Sequence, residues 1–278
     1  MCALAAVALW STVATGFKLG LGVMRPLQLL ALGSMVSLVF FAAAYLVVRP
    51  PPAPRAALGR AAALGLLNPF AYYVVLFEAY DRLPAQVAQP LNYTWAITLA
   101  ILAVPILGQR LDRRTLAGIL VSYLGVVVLV TRGEFTTFDS FDAVGIALAL
   151  GSTVLWASYW LATVRLGLHP VQLLLAVFTT GTSCVVVACV LTGGLPPLTL
   201  ENLGYGLWVG LVEMGVTFVL WQRALALTAH AGRISQLIFL SPFLSLVMIA
   251  NVLGETIHPS AVAGLVLIVG GLLLRPQP

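Results

Sequence analysis

Long apolar stretches dominate the sequence, and short polar or proline-containing breaks separate them. A helix needs about 20 largely apolar residues to cross a bilayer. The breaks leave ten stretches of suitable length, which predict ten membrane helices. These cover residues 2–19, 26–48, 56–79, 85–107, 115–130, 143–164, 171–191, 203–225, 232–253 and 259–274. Residues 1–16 contain no Lys or Arg, so we interpret them as part of the first helix and not as a cleaved signal peptide.

The basic residues of the predicted loops indicate how the helices are oriented. If the N-terminus is cytoplasmic, ten Lys and Arg side chains fall on the inner side and four on the outer side. Cytoplasmic loops of membrane proteins carry an excess of these residues. We therefore predict that both termini are cytoplasmic.

The two halves of the chain resemble each other at a constant shift of 146 residues. The matching pairs are Leu9-Trp10 with Leu155-Trp156, Ala85 with Ala231, Leu107-Gly108 with Leu253-Gly254, Ala117-Gly118 with Ala263-Gly264, and Gly125 with Gly271. Each half holds five predicted helices, and an odd number inverts the second copy in the membrane. The sequence therefore predicts an all-α integral membrane protein with two inverted five-helix repeats, residues 1–135 and 136–278. Inverted repeats are typical of secondary transporters, whose sites lie near the midplane where the repeats meet.

The composition excludes several other classes of protein. Apolar residues make up 61% of the chain and charged residues 8%, and the mean hydropathy is +1.05. These values exclude a water-soluble enzyme, a disordered chain and a nucleic-acid binder, despite the net charge of +5. The three cysteines have neither disulfide-framework nor zinc-ligand spacing. Neither a GxxxxGK[ST] phosphate loop nor an HExxH motif occurs, so we expect no catalytic residue, cofactor or metal.

Aromatic and amide side chains near the middle of the predicted helices are candidates for a substrate site. They are Trp10, Tyr72, Gln89, Asn92, Tyr93, Trp156, Tyr159 and Gln236. Aromatic rings offer flat apolar contacts and attract an ammonium group, and amides can hydrogen-bond a carboxylate. The alternative is that the rings belong to interfacial belts, as we expect for Tyr205 and Trp208. The amides would then form hydrogen bonds between helices.

Glu213 is the only acidic residue that we place near the bilayer centre. An ionisable group at that depth is a functional candidate, and Glu213 is therefore a possible coupling residue that carries a proton. The alternative is that it faces a wet cavity or pairs with Lys18 or Arg223.

The motifs Leu253-Gly254-Glu255 and Ala263-Gly264, with the inverted duplication, resemble the EamA-type exporters of the drug/metabolite transporter superfamily. The stretches 8–12, 92–95 and 155–159 are similar to those of its bacterial aromatic amino-acid exporters. The resemblance implies a central cavity lined mainly by helices 1, 3, 4, 6, 8 and 9. The chain has Gly108-Gln109 where the family has Gly-Glu, which leaves Glu255 as the only acid of this motif. No family pattern requires an acid at Glu213.

The resemblance further implies export of aromatic and other neutral amino acids across the bacterial inner membrane by alternating access. We expect the partners to be amino acids or similar metabolites and the lipid bilayer, with no nucleic acid and no obligate protein partner. A broad exporter of drugs or metabolites is the alternative within transport. A membrane scaffold or a channel is the alternative outside it.

Overall fold

A computed structural model describes residues 1–108, 112–134, 141–163, 166–226 and 237–274, and these residues are almost entirely helical, with no strand. Within these described residues, eight helices are long and apolar enough to span a membrane: α1 Cys2–Leu21, α2 Pro26–Val48, α3 Arg55–Arg82, α4 Ala85–Ile106, α5 Arg113–Val130, α6 Ala143–Thr163, α7 Pro170–Thr192 and α8 Leu200–Trp221. Two shorter apolar helices follow, α9 Leu237–Leu253 and α10 Pro259–Leu273. The all-α prediction is confirmed.

Three of the long helices are interrupted in their middle. The α1 helix breaks at Thr12 and α4 at Thr94, four residues beyond Pro90. In α3, Asn68 has an extended backbone (φ −145°, ψ 125°) before Pro69. Backbone groups freed by such breaks need local partners in a membrane, and the Thr94 hydroxyl donates to the Leu91 carbonyl at 2.7 Å. Asn68 and Thr94, at two of the breaks, are buried.

Glycines end α4 and α9 in the same way. Gly108 follows α4 with φ 68° and ψ 20°, and Gly254 follows α9 with φ 67° and ψ 16°. This left-handed conformation favours glycine, which has no Cβ to clash with the following carbonyl. The two positions are 146 residues apart, so the repeat in the sequence coincides with a repeat in backbone geometry.

Small residues bring α5 and α10 into close contact. A Cβ on Gly125 would lie 2.6 Å from the Gly264 carbonyl oxygen, and a Cβ on Gly271 would collide with the Gly118 carbonyl oxygen. Between these contacts, the Ser122 hydroxyl donates to the carbonyl of Ile268 at 2.9 Å, and these two residues are also 146 apart. The α5–α10 contact is therefore two-fold symmetric about the Ser122–Ile268 bond. Close backbone approach of this kind is a common source of helix association in membranes.

The other helix contacts follow the same symmetry. The α2 and α7 helices occupy the same position in the two halves and pack against each other, as α5 and α10 do. The α1 helix contacts α8 and α9, while its counterpart α6 contacts α3 and α4. The interior between the α2–α7 pair and the α5–α10 pair is thus surrounded by α1, α3, α4, α6, α8 and α9. This is the set of helices that the family resemblance placed around a cavity.

The glycine contact gives a direct test of this packing. Gly271→Ala should destabilise the protein by about 1–3 kcal/mol through overpacking, which lowers the Tm of the detergent-solubilised protein by roughly 3–10 °C. Gly270→Ala is the matched control, since a Cβ on Gly270 meets no atom within 4 Å. Equal Tm values for the two variants would contradict the close α5–α10 contact.

Candidate functional site

Four aromatic side chains meet in the interior of the bundle, and we call them the aromatic cluster: Trp10 of α1, Tyr72 of α3, Trp156 of α6 and Phe218 of α8. Tyr72 stacks on Trp156 with ring centroids 4.6 Å apart and planes inclined by 29°. Phe218 contacts Trp10 edge-on at 5.9 Å and Trp156 at 6.1 Å. Aromatic pairs in such arrangements contribute about 0.5–1.5 kcal/mol each beyond their buried area.

The cluster follows the symmetry of the helices. Trp10 and Trp156 are 146 residues apart, and so are Tyr72 and Phe218. The Trp10–Phe218 contact is therefore the counterpart of the Trp156–Tyr72 contact. Phe218 also contacts Trp156, so it connects the two pairs. We did not select Phe218 from the sequence, although the 146-residue shift applied to Tyr72 identifies it.

Polar candidates from α4 and α6 lie around the cluster. The Asn92 amide donates to the Ser152 hydroxyl at 3.1 Å and, in a longer contact of 3.4 Å, to the Tyr72 hydroxyl. Tyr159 stacks beside Trp156 at 5.9 Å. The structure thus brings together four of the predicted rings and one of the predicted amides, while Ser152 was not predicted.

The remaining candidates are placed differently. Tyr93 is buried and its hydroxyl lies beside Ser241 of α9, so it does not share the ring contacts of the cluster. Gln89 is only 3% exposed, and its carbonyl oxygen has no hydrogen-bond partner among the described residues. Gln236 lies outside the described residues. Trp208, which we assigned to an interfacial belt, is 38% exposed and packs its indole against Gly16.

Glu213 lies beside the aromatic cluster, on the π-helical segment Trp208–Val216 of α8. Its carboxylate accepts a hydrogen bond from the Tyr73 hydroxyl at 3.0 Å, and the Trp10 indole lies near the same carboxylate. The predicted alternative of a Lys18 partner is wrong, because the Lys18 ammonium donates to the carbonyls of Tyr80 and Leu83 instead. The side chain of Arg223, the other predicted partner, lies outside the described residues. Tyr73 is a further contact that the sequence analysis did not select.

One end of the bundle is joined across the two halves by Glu255, and we call it the Glu255 end. The Glu255 carboxylate accepts from the backbone amides of Ala85 at 3.0 Å and Gln86 at 3.3 Å. It thereby caps the N-terminus of α4, where the helix dipole favours a negative charge. The Gln86 side chain belongs to the same end, because it donates to the Thr256 carbonyl and accepts from the His258 amide.

Two arginines also connect the two halves at the Glu255 end. The Arg25 guanidinium donates to the Gly193 carbonyl at 2.6 Å. Arg82 bridges Glu78 at 2.8 Å and Asp142 at 3.2 Å. The pKa of the Asp142 carboxyl lies below its ordinary value, chiefly because the Val144 amide donates to it and then because Arg82 does. These contacts hold the two halves together at the Glu255 end.

A separate apolar cleft of about 400 Å³ lies between α4, α5 and α6. Its lining includes Ile101, Tyr123 and Val154, all of which are more than a third exposed. The cleft therefore opens on the lateral surface of the helix bundle and is distinct from the aromatic cluster.

The helices define a multi-pass membrane protein, and comparison with known proteins identifies a transporter and not an enzyme. The model of the EamA-like transporter family matches residues 1–131 and 143–275. The chain therefore belongs to this family, which is part of the drug/metabolite transporter superfamily.

Two named relatives carry a functional description. A probable amino-acid metabolite efflux pump of Salmonella typhimurium is 28% identical over 295 aligned positions, covering 98% of this chain and 93% of the relative. A probable amino-acid metabolite efflux pump of Escherichia coli is 32% identical over 156 residues, covering 56% of this chain and 50% of the relative. A solved crystal structure covers 98% of this chain with a TM-score of 0.69 at 22% identity, which shows the shared fold.

The Glu255 cap predicts an effect on access to the interior. Glu255→Gln removes the charge at the α4 N-terminus, so the Glu255 end should open more often. Thr15 of α1 is 4% exposed and lies three residues before Lys18, whose ammonium binds the Leu83 carbonyl just before α4. A Thr15→Cys reporter with the three native cysteines replaced by alanine should then react several-fold faster with a membrane-impermeant maleimide. Glu201→Gln, an exposed acid at the start of α8, is the control. Equal labelling rates in the two variants would show that the cap does not restrain this end.

Proposed function

We propose that this transporter exports amino acids, including aromatic and other neutral ones, from the bacterial cytoplasm by alternating access. The observation that carries the proposal is the aromatic cluster, in which symmetry-related rings from both halves meet in the interior. Flat rings suit an apolar or aromatic side chain. The names of two relatives as amino-acid metabolite efflux pumps support an amino-acid substrate.

In this proposal residues 1–135 and 136–278 are the two repeats that rock about the cluster. Trp10, Tyr72, Trp156 and Tyr159 form the apolar walls of the site. Asn92, Gln89, Tyr93 and Gln236 supply polar contacts. The buried oxygen of Gln89 supports its assignment, because a buried acceptor without a protein partner is costly and a substrate N–H can satisfy it.

The distribution of basic residues supports a location in the inner membrane with both termini in the cytoplasm. The Glu255 end then faces the outside of the cell. Alternating access requires that the two ends open in turn, and the contacts of Glu255 and Arg25 at this end support its role as the outer gate. The sequence has Gln109 at the position 146 residues before Glu255, so the inner end has no matching carboxylate from this motif.

Counterflow in proteoliposomes tests the proposed substrate. Vesicles loaded with unlabelled phenylalanine, tryptophan, threonine or methionine receive the labelled compound outside, and we expect transient, saturable accumulation that requires the internal amino acid. Folded protein that accumulates none of them would contradict amino-acid transport and leave the broad metabolite exporter. Uptake that does not saturate and shows no counterflow would instead indicate a channel.

Trp156→Ala tests the aromatic cluster itself. Truncating an aromatic anchor typically costs about 2 kcal/mol of binding free energy, which is roughly thirtyfold in affinity. We therefore expect the apparent KM for phenylalanine counterflow to rise by about this factor, with unchanged yield of folded protein. Trp208→Ala makes the same chemical change outside the cluster and should have little effect. Wild-type kinetics in Trp156→Ala would remove this ring from the site.

A further inference from the structure

The Glu213 carboxylate lies in the interior with neutral donors around it. The Tyr73 hydroxyl donates to it, and the Trp10 indole lies near it. Arg82 forms ion pairs with Glu78 and Asp142 and not with Glu213. Lys18, the nearest basic residue on α1, is bonded to backbone carbonyls. None of these described contacts gives Glu213 a cationic partner.

A carboxylate inside a membrane protein is costly unless a cation neutralises it. Glu213 also retains accessible surface, whereas its neighbour Met214 on α8 and its donor Tyr73 are almost completely buried. The Glu213 residue is therefore not completely enclosed by its neighbours.

The rings next to Glu213 are suited to a cation. Tyr73 contacts Tyr72 with ring centroids 4.7 Å apart, and Tyr72 in turn stacks on Trp156. Trp10 lies on the other side and contacts Trp221 at 5.5 Å. Aromatic faces attract Lys-like and ligand ammonium groups, and Trp does so most strongly. A primary ammonium has three N–H donors, so it can bind the carboxylate and still lie against a ring.

We infer that Glu213 is the ammonium-binding residue of the transport site, so that a protonated amine is required in the substrate and a carboxylate is not. This inference rests on the proposed function for the identity of the transported solute. It differs from the role of Glu213 as a proton carrier, in which the carboxylate would exchange a proton with water and need not touch the substrate.

The test compares three probes that share a phenyl ring: L-phenylalanine, 2-phenylethylamine, which has only the ammonium, and 3-phenylpropionate, which has only the carboxylate. With wild-type full-length protein, we expect 2-phenylethylamine to raise the Tm and to inhibit phenylalanine counterflow. We expect 3-phenylpropionate to do neither at the same concentration. Binding by 3-phenylpropionate without binding by 2-phenylethylamine would overturn the inference, and this comparison needs no variant.

Glu213→Gln keeps the shape of the side chain and removes its charge. Hydrogen bonds to charged groups contribute more than neutral ones, so the affinity for 2-phenylethylamine should fall by about ten- to hundredfold. Glu201→Gln on the same helix is the matched control and should retain wild-type affinity. Equal affinity for the amine in the Glu213→Gln variant and the wild type would overturn the inference.

Two further outcomes separate the inference from other conclusions. If Glu213→Gln keeps wild-type counterflow but loses accumulation driven by a pH gradient, Glu213 is a coupling residue and the ammonium inference fails. If no amino acid shows counterflow but 2-phenylethylamine stabilises the wild type and not Glu213→Gln, the proposed amino-acid export fails and the ammonium site stands.

Discussion

The close approach of α5 and α10 is the contact on which the rest of the arrangement depends. Gly125 and Gly271 have no side chains to keep the backbones apart, and the Ser122–Ile268 hydrogen bond lies between them on the pseudo-two-fold axis. Lipid tails are as apolar as leucine side chains, so helix association in a membrane depends on such close packing. Because the same symmetry relates α1 to α6, it also places Trp10 and Trp156 as equivalent residues around Phe218.

The scaffold is symmetric, but the chemistry of the site is not. The first half contributes the Tyr72 hydroxyl and the Asn92 amide, where the second half has Phe218 and Ile238. The second half contributes the Glu213 carboxylate, where the first half has Leu67. The two halves therefore place polar groups of different kinds on the two sides of one aromatic cluster. A solute with two chemically different ends suits a site of this kind better than a symmetric solute does.

The two halves also differ at the ends of the bundle. Gly108 and Gly254 end their helices with nearly the same backbone angles, but the next residue is Gln109 in one half and Glu255 in the other. A carboxylate interacts with a helix N-terminus more strongly than a neutral amide does, because it carries a full charge opposite the dipole. Glu255 thus connects the two halves at its own end through the N-terminus of α4.

Much of this protein follows from its sequence. Apolar length determined the membrane helices, whose predicted bounds lie close to the observed ones, and the 146-residue shift related Trp10 to Trp156 and Gly108 to Gly254. The tertiary structure decided which polar groups meet. The Lys18 ammonium binds backbone carbonyls and not Glu213. The Gln86 amide donates to Glu255, and the Tyr73 hydroxyl donates to Glu213. Hydropathy and periodicity assign a residue to a helix and a depth. They do not determine the rotation and tilt of neighbouring helices, which are set by packing contacts between residues far apart in the chain.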